Sequence, residues 1–153
     1  MKQDNRLSAV LHALLHMADH GGPLTSAALA QMMSTNPVVV RRTMAGLREA
    51  GLVRSEKGHG GGWELARDLA SVTLRDIYDA LGAPRLMAMG IPLAHPGCLV
   101  EQAVNRSLGT AFAEAEALLV SRLGDVTLAQ LAEDFSARAA LHRQNHLHHQ
   151  DHE

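Results

Sequence analysis

The hydrophobic pattern of this chain changes character at Gly51, and that change limits the folds open to it. Upstream, apolar residues recur at helical spacing. Directly downstream, Leu52–Glu56 and Gly62–Leu65 read as short strands, and between them Lys57-Gly58-His59-Gly60-Gly61 can hold only a turn. Three helical segments precede the hairpin. The first covers residues 6–19, with Leu7, Leu11, Leu14 and Ala18 on one stripe that Val10, Leu15 and Met17 widen. His20-Gly21-Gly22-Pro23 ends it. Thr25 or Ser26 caps a short second helix with Leu29, Met32 and Met33 inward. Asn36 caps a third, from about Pro37 to Ala50. Proline suits its first position because the missing N–H is not needed there.

Beyond the hairpin the pattern turns helical again. Thr73 with Asp76 forms a capping-box pattern ahead of Leu74–Leu81, and Gly82 stops that helix. A loop rich in proline and glycine then leads to a long helix, about Leu99–Leu123. Val100, Val104, Ala111, Ala115 and Leu118 form its stripe, and small residues, Gly109 among them, would let a second helix approach closely. Thr127 with Gln130 marks a short last helix carrying Leu128, Leu131 and Phe135. From Ser136 the chain is polar and reads as a disordered, histidine-rich tail. The expected organisation is therefore a winged helix-turn-helix domain over 1–82, a loop over 83–98, dimerisation helices over 99–135 and the tail over 136–153. The fold class is mainly α with a small β-hairpin wing.

Aromatic residues are only 3% of the 153 residues, so Leu, Ala and Val must fill the core, which favours helices. No uninterrupted apolar run is long enough for a membrane span, and the first residues lack a secretory pattern. With one cysteine, Cys98, no intrachain disulfide can form, and the cytoplasm is the expected compartment. The net charge of −2 hides an asymmetry. Arg41, Arg42, Arg48, Arg54 and Lys57 against Glu49 and Glu56 make residues 36–59 +3. Seven basic and twelve acidic residues make 60–153 −5. A phosphate backbone responds to that local field, not to the whole-chain sum.

The third helix has the composition of a DNA reader. Val40, Met44 and Leu47 share one face. Val38, Arg41 and Ala45 lie opposite, with Arg42 and Arg48 flanking. Base-reading side chains sit near the start of such a helix, and arginine reads guanine through two hydrogen bonds. Thr35 and Asn36, with the helix N-terminus, are expected to hold a phosphate. Lys57, His59 and Gly60 at the wing tip are expected to reach phosphate or minor groove. Each signal also has a plainer reading: a solvated helix face for the arginines and an ordinary hairpin tip for the glycines. A phosphate-binding nucleotide loop is not expected, because GHGGGW precedes no helix and lacks the Gly-Lys-Ser/Thr ending. The chain shows no nucleophile–base motif, so an enzyme is not expected.

The wing GHGGGWELARD followed by VTLRDIYDALG resembles the Rrf-two family of bacterial transcription regulators, over about residues 6–135. That family includes iron–sulfur-sensing, nitric-oxide-sensing and cysteine-metabolism repressors. TNPVVVRRTMAGLREAGLV and HPGCLVEQAV are similar to its single-cysteine, YwnA-type branch. The resemblance implies a homodimer with crossing long helices, two recognition helices in adjacent major grooves of operator DNA, transcriptional repression, and a sensor near Cys98. Cluster-binding members carry three cysteines in the loop where this chain holds one. A [2Fe–2S] cluster normally needs four protein ligands, so no iron–sulfur cofactor is expected.

Cys98 sits at the start of the long helix, after His95-Pro96-Gly97. The positive end of a helix dipole is a setting in which thiols become reactive. Cys98 is thus a candidate sensor of oxidants or thiol-reactive small molecules. The alternative is a buried small hydrophobe. His12, His16 and His20 line one helical face at a spacing that can bind metal, but they read equally as a solvated face, and no metal site is expected. A metal- or iron–sulfur-responsive regulator, or a metal-binding scaffold that does not bind DNA, remains as the alternative function.

Overall fold

The structure, a computed structural model, describes residues 5–86 and 97–150. Six helices and one hairpin follow in the order α1 (Arg6–His20), α2 (Ser26–Met32), α3 (Pro37–Glu49), β1 (Val53–Glu56), β2 (Gly62–Leu65), α4 (Leu74–Ala80), α5 (Leu99–Leu123) and α6 (Leu128–Gln150). A single turn of 3₁₀ helix, Leu69–Ser71, lies between β2 and α4.

Local chemistry sets most of these boundaries. The Thr25 hydroxyl accepts the Ala28 N–H at 3.1 Å and starts α2. Asn36 starts α3, and Pro37 occupies its first position. At α4, Thr73 and Asp76 cap each other's backbone N–H groups, at 3.1 and 2.8 Å. At α6, Thr127 and Gln130 do the same, at 3.3 and 2.8 Å. The turn between α2 and α3 closes through Ser34 N–H to Gln31 O and Thr35 N–H to Ala30 O. That paired stop puts its middle residue in the left-handed region, and Ser34 holds φ 51° there.

The core is apolar throughout, with no buried polar residue among those described. Val10, Ala13, Leu14 and Met17 of α1 meet Leu29 and Ala30 of α2 and Val40, Met44 and Leu47 of α3. Val53 and Trp63 of the hairpin, with Val72, Leu74 and Ile77 at α4, complete it. The strands pair antiparallel, with Val53 opposite Leu65 and Arg54 opposite Glu64. A two-bond bridge from Leu24 to Trp63 adds a short third edge.

Two features differ from the sequence expectation. First, Leu128 is fully buried in the core formed by residues of the first 82. The chain returns after α5, and backbone bonds Leu74 N–H to Val126 O and Leu128 N–H to Val72 O, both 2.9 Å, seat it there. Second, the last helix neither is short nor gives way to a disordered tail at Ser136. It continues to Gln150. No glycine or proline occurs after Gly124, and Ala, Arg, Leu and Gln are strong helix formers whatever their polarity. An Arg138–Asp134 ion pair of 2.9 Å braces one turn. Residues 151–153 lie outside the described residues.

The long helix has the extent expected of it, but none of its residues is buried. Leu99, Val100, Val104, Leu108, Leu118 and Leu119 are all exposed, Leu99 by 78%.

Candidate nucleic-acid interface

The inner face of α3, Val40, Met44 and Leu47, anchors the helix in the core and so fixes which residues face outward. Val38, Arg41 and Arg42 are exposed on the outer side. Neither arginine makes an ion pair among the described residues. Val39, which the residue pattern did not single out, is also exposed. Its signal was available: Val40 falls with Met44 and Leu47 on the helical spacing of the inner face, and Val39 does not.

Asn36 has a more definite task than holding phosphate. Its side-chain oxygen accepts the N–H groups of Val38 and Val39, at 3.0 and 3.1 Å. Two of the free donors at the start of α3 are therefore occupied, and the Thr35 N–H is bonded to Ala30. The Thr35 and Asn36 side chains are what this corner can still offer an anion.

Arg48 is engaged within the protein. Its guanidinium lies 5.8 Å from the centre of the Trp63 ring, and Nη1 donates to the Ser55 hydroxyl at 3.4 Å. Trp63 in turn donates from Nε1 to Ser26 Oγ at 3.0 Å. These contacts tie the end of α3, the wing and the start of α2 into one unit. Arg54 is likewise committed, to Glu64 at 2.8 Å. Among the described residues, Arg41, Arg42 and Lys57 are the positive charges of 36–59 with no ion pair, side-chain hydrogen bond or ring contact.

At the wing tip, Lys57, His59 and Gly60 are exposed. Gly58 and Gly60 hold φ of 102° and 80°, values that only glycine adopts without strain, so the tip is shaped by its sequence.

Cys98 is half-buried at the N-cap of α5. Its carbonyl accepts the Gln102 N–H at 3.0 Å, and its thiol makes no capping bond. Much of the preceding loop, His95 included, falls in 87–96, outside the described residues. Ahead of that gap, the Leu86 N–H donates to Glu116 of α5 at 3.2 Å. His12 and His16 turn their rings together, with Nε2 atoms 2.8 Å apart, and Phe135 meets His16 edge-on.

The whole arrangement is a helix-turn-helix with a glycine-tipped wing beside it, and it recurs in known proteins. The family model described as Rrf2, iron-dependent transcriptional regulator, matches residues 3–134. The chain belongs to the Rrf2 family. This is a family of transcriptional regulators rather than enzymes. YffB of Lactococcus lactis, named as an HTH-type transcriptional regulator, is 29% identical over 113 residues, 72% of each chain. YwnA of Bacillus subtilis, also named as an HTH-type transcriptional regulator, is 26% identical over 82% of this chain and 92% of its own. A crystal structure of a transcriptional regulator from Lactobacillus plantarum superposes with a TM-score of 0.68 at 24% identity, covering 97% of this chain and 99% of that one. It shares the fold. No helix among the described residues is long and apolar enough to cross a membrane.

The iron in the Rrf2 family description raises the question of a metal centre. This Rrf2 chain has a single thiol, and among the described residues no group of three or more His, Cys, Asp and Glu could hold a metal ion. That donor set does not fit an iron–sulfur cluster, which takes four protein ligands, most of them thiolates.

Proposed function

We propose that this chain is a repressor that binds operator DNA as a two-fold homodimer and responds to oxidants or electrophiles through Cys98. The observation that carries the DNA-binding reading is the outer face of α3, where Arg41 and Arg42 stand exposed and unpaired on a helix anchored by its opposite face. With Thr35, Asn36 and Val38 they form the major-groove surface. Lys57, His59 and Gly60 of the wing reach the flanking backbone, and Arg48 holds the wing at its angle.

Dimerisation is supported by α5, a 25-residue helix with no buried residue and six exposed large aliphatic side chains. A second copy of α5 is the natural cover, and one recognition helix alone would read too short a site for useful specificity. The helix also offers Cys98 a route of action. Cys98 occupies the N-cap position of α5, so oxidation of its thiol to sulfenic acid by a peroxide, or its alkylation by an electrophile, sets a larger or more polar group at the end of the dimer helix. The two recognition helices then lose the spacing of adjacent half-sites. The donor set argues for a regulator that works without an iron–sulfur cluster.

The test is a gel shift on a selected operator duplex, with and without hydrogen peroxide or a quinone, for the wild type and Cys98→Ser. The wild type releases DNA under oxidant and the variant does not. Retention of DNA by the oxidised wild type refutes the sensor role. Sedimentation showing a monomer at operator-binding concentrations refutes the dimer.

A further inference from the structure

Two valines stand out in the first turn of α3. Val38 is 60% exposed and Val39 is 42% exposed, while Val40 beside them is fully buried. Single exposed aliphatic residues are ordinary on protein surfaces. These two are adjacent, on the reading end of a recognition helix, and neither belongs to the core cluster. Valine is also a poorer helix former than alanine, so its presence there does not serve the helix.

Their surroundings are specific. Arg41 follows Val38 by three residues and Arg42 follows it by four. Arg42 also follows Val39 by three. Residues so spaced are neighbours on a helix surface, so a small apolar patch is edged by two unpaired guanidinium groups. Those charges would draw the patch onto a polyanion. Both valine N–H groups are pinned by the Asn36 side chain, which fixes how the turn is presented. Valine in a helix is nearly confined to one rotamer, so its methyl groups are in place before contact and little side-chain freedom is lost on binding.

The major groove offers one apolar group to such a surface, the C5 methyl of thymine. We infer that Val38, with Val39 beside it, reads thymine methyl groups in the operator. The inference rests on the DNA-binding reading of α3 and adds the base that the helix selects without hydrogen bonds.

The test starts from duplexes selected out of a random pool by the full-length chain. Each thymine is then replaced by deoxyuridine, which removes only the C5 methyl and keeps every hydrogen-bonding group. Wild type is expected to lose about fourfold in affinity at one or two positions in each half-site, the factor for one buried methyl-sized group. A Val38→Ser, Val39→Ser double variant keeps its fold, both sites being on the surface, and binds the thymine and uracil duplexes equally. The inference is overturned if wild type binds both duplexes equally while still selecting a sequence. It is overturned too if the double variant keeps the full discrimination, because another residue then reads the methyl. Failure to select any duplex above background would instead refute DNA binding by α3, and this inference with it.

Discussion

Leu24 and Trp63 exchange two backbone hydrogen bonds, 3.0 and 2.8 Å long, that tie the segment between α1 and α2 to the second strand of the wing. The approach is close enough to exclude a side chain. A β-carbon on Gly62 would lie 2.5 Å from the Leu24 carbonyl oxygen. The glycines of GHGGGW thus divide between two tasks: Gly58 and Gly60 supply positive φ at the tip, and Gly61 and Gly62 supply room against the Glu56 and Leu24 carbonyls.

That division predicts unequal costs. Gly62→Ala forces the wing off Leu24 and should lower stability by about 2 kcal/mol, the scale of an overpacked site. Gly60→Ala has open space and meets only backbone strain, about 1 kcal/mol. Urea unfolding of the two variants gives the order, and equal losses would contradict it.

Ser34 occupies a left-handed position at the stop of α2, held there by the backbone bonds that close the turn, while its β-carbon makes that position strained. Ser34→Gly removes that strain but adds freedom to the unfolded chain. The net should be a gain of up to about 1 kcal/mol, read as a higher midpoint in urea.

Leu128 fills the same core as α1 and α3 from a position far along the chain. Leu128→Ala should cost about 3 kcal/mol and destabilise the DNA-binding unit, not only the C-terminal helices. Hydrogen exchange in α1 and α3 checks where the loss is felt. Protection there that is unchanged in the variant would show α6 to be an independent element.

Arg41→Ala, Arg42→Ala and Lys57→Ala should each reduce the slope of log affinity against log salt by about one unit, if each neutralises one phosphate. Arg48→Ala should also lower folding stability by about 0.5 kcal/mol, because its guanidinium packs on Trp63. Binding isotherms over a salt series, with unfolding curves beside them, separate the two effects.

Tyr78 provides a pH test. Its burial raises the phenol above its ordinary value of 10.0, and the nearby carboxylates of Glu116 and Asp79 push the same way, against Arg75. A raised value in the folded state means that the stabilisation is fully present below pH 10 and is lost as pH rises beyond it. Tyr78→Phe should flatten that alkaline loss. A parallel decline in wild type and variant between neutral and strongly alkaline pH would assign it elsewhere.

Most element boundaries were legible because they rest on contacts between residues two to four apart. Asn36, Thr73 with Asp76, and Thr127 with Gln130 each cap a helix through atoms that sequence spacing alone brings within reach. The outward side of α3 was legible for the same reason, since helical period separates Arg41 from Met44. The helical run past Ser136 is not legible from polarity, because the backbone there responds to helix propensity.

By itself the sequence determined the order of helices and hairpin, the apolar face of α3, the positive stretch around it and the lone thiol at the head of α5. Tertiary structure decided which charges stay available and which elements share a core. Arg48 is drawn onto Trp63, Arg54 onto Glu64, and Leu128 into the pocket beneath α1. The physical reason is range. Capping and periodicity act over a few residues of one chain segment, whereas these pairings depend on where distant segments are set down by the packing of the whole core.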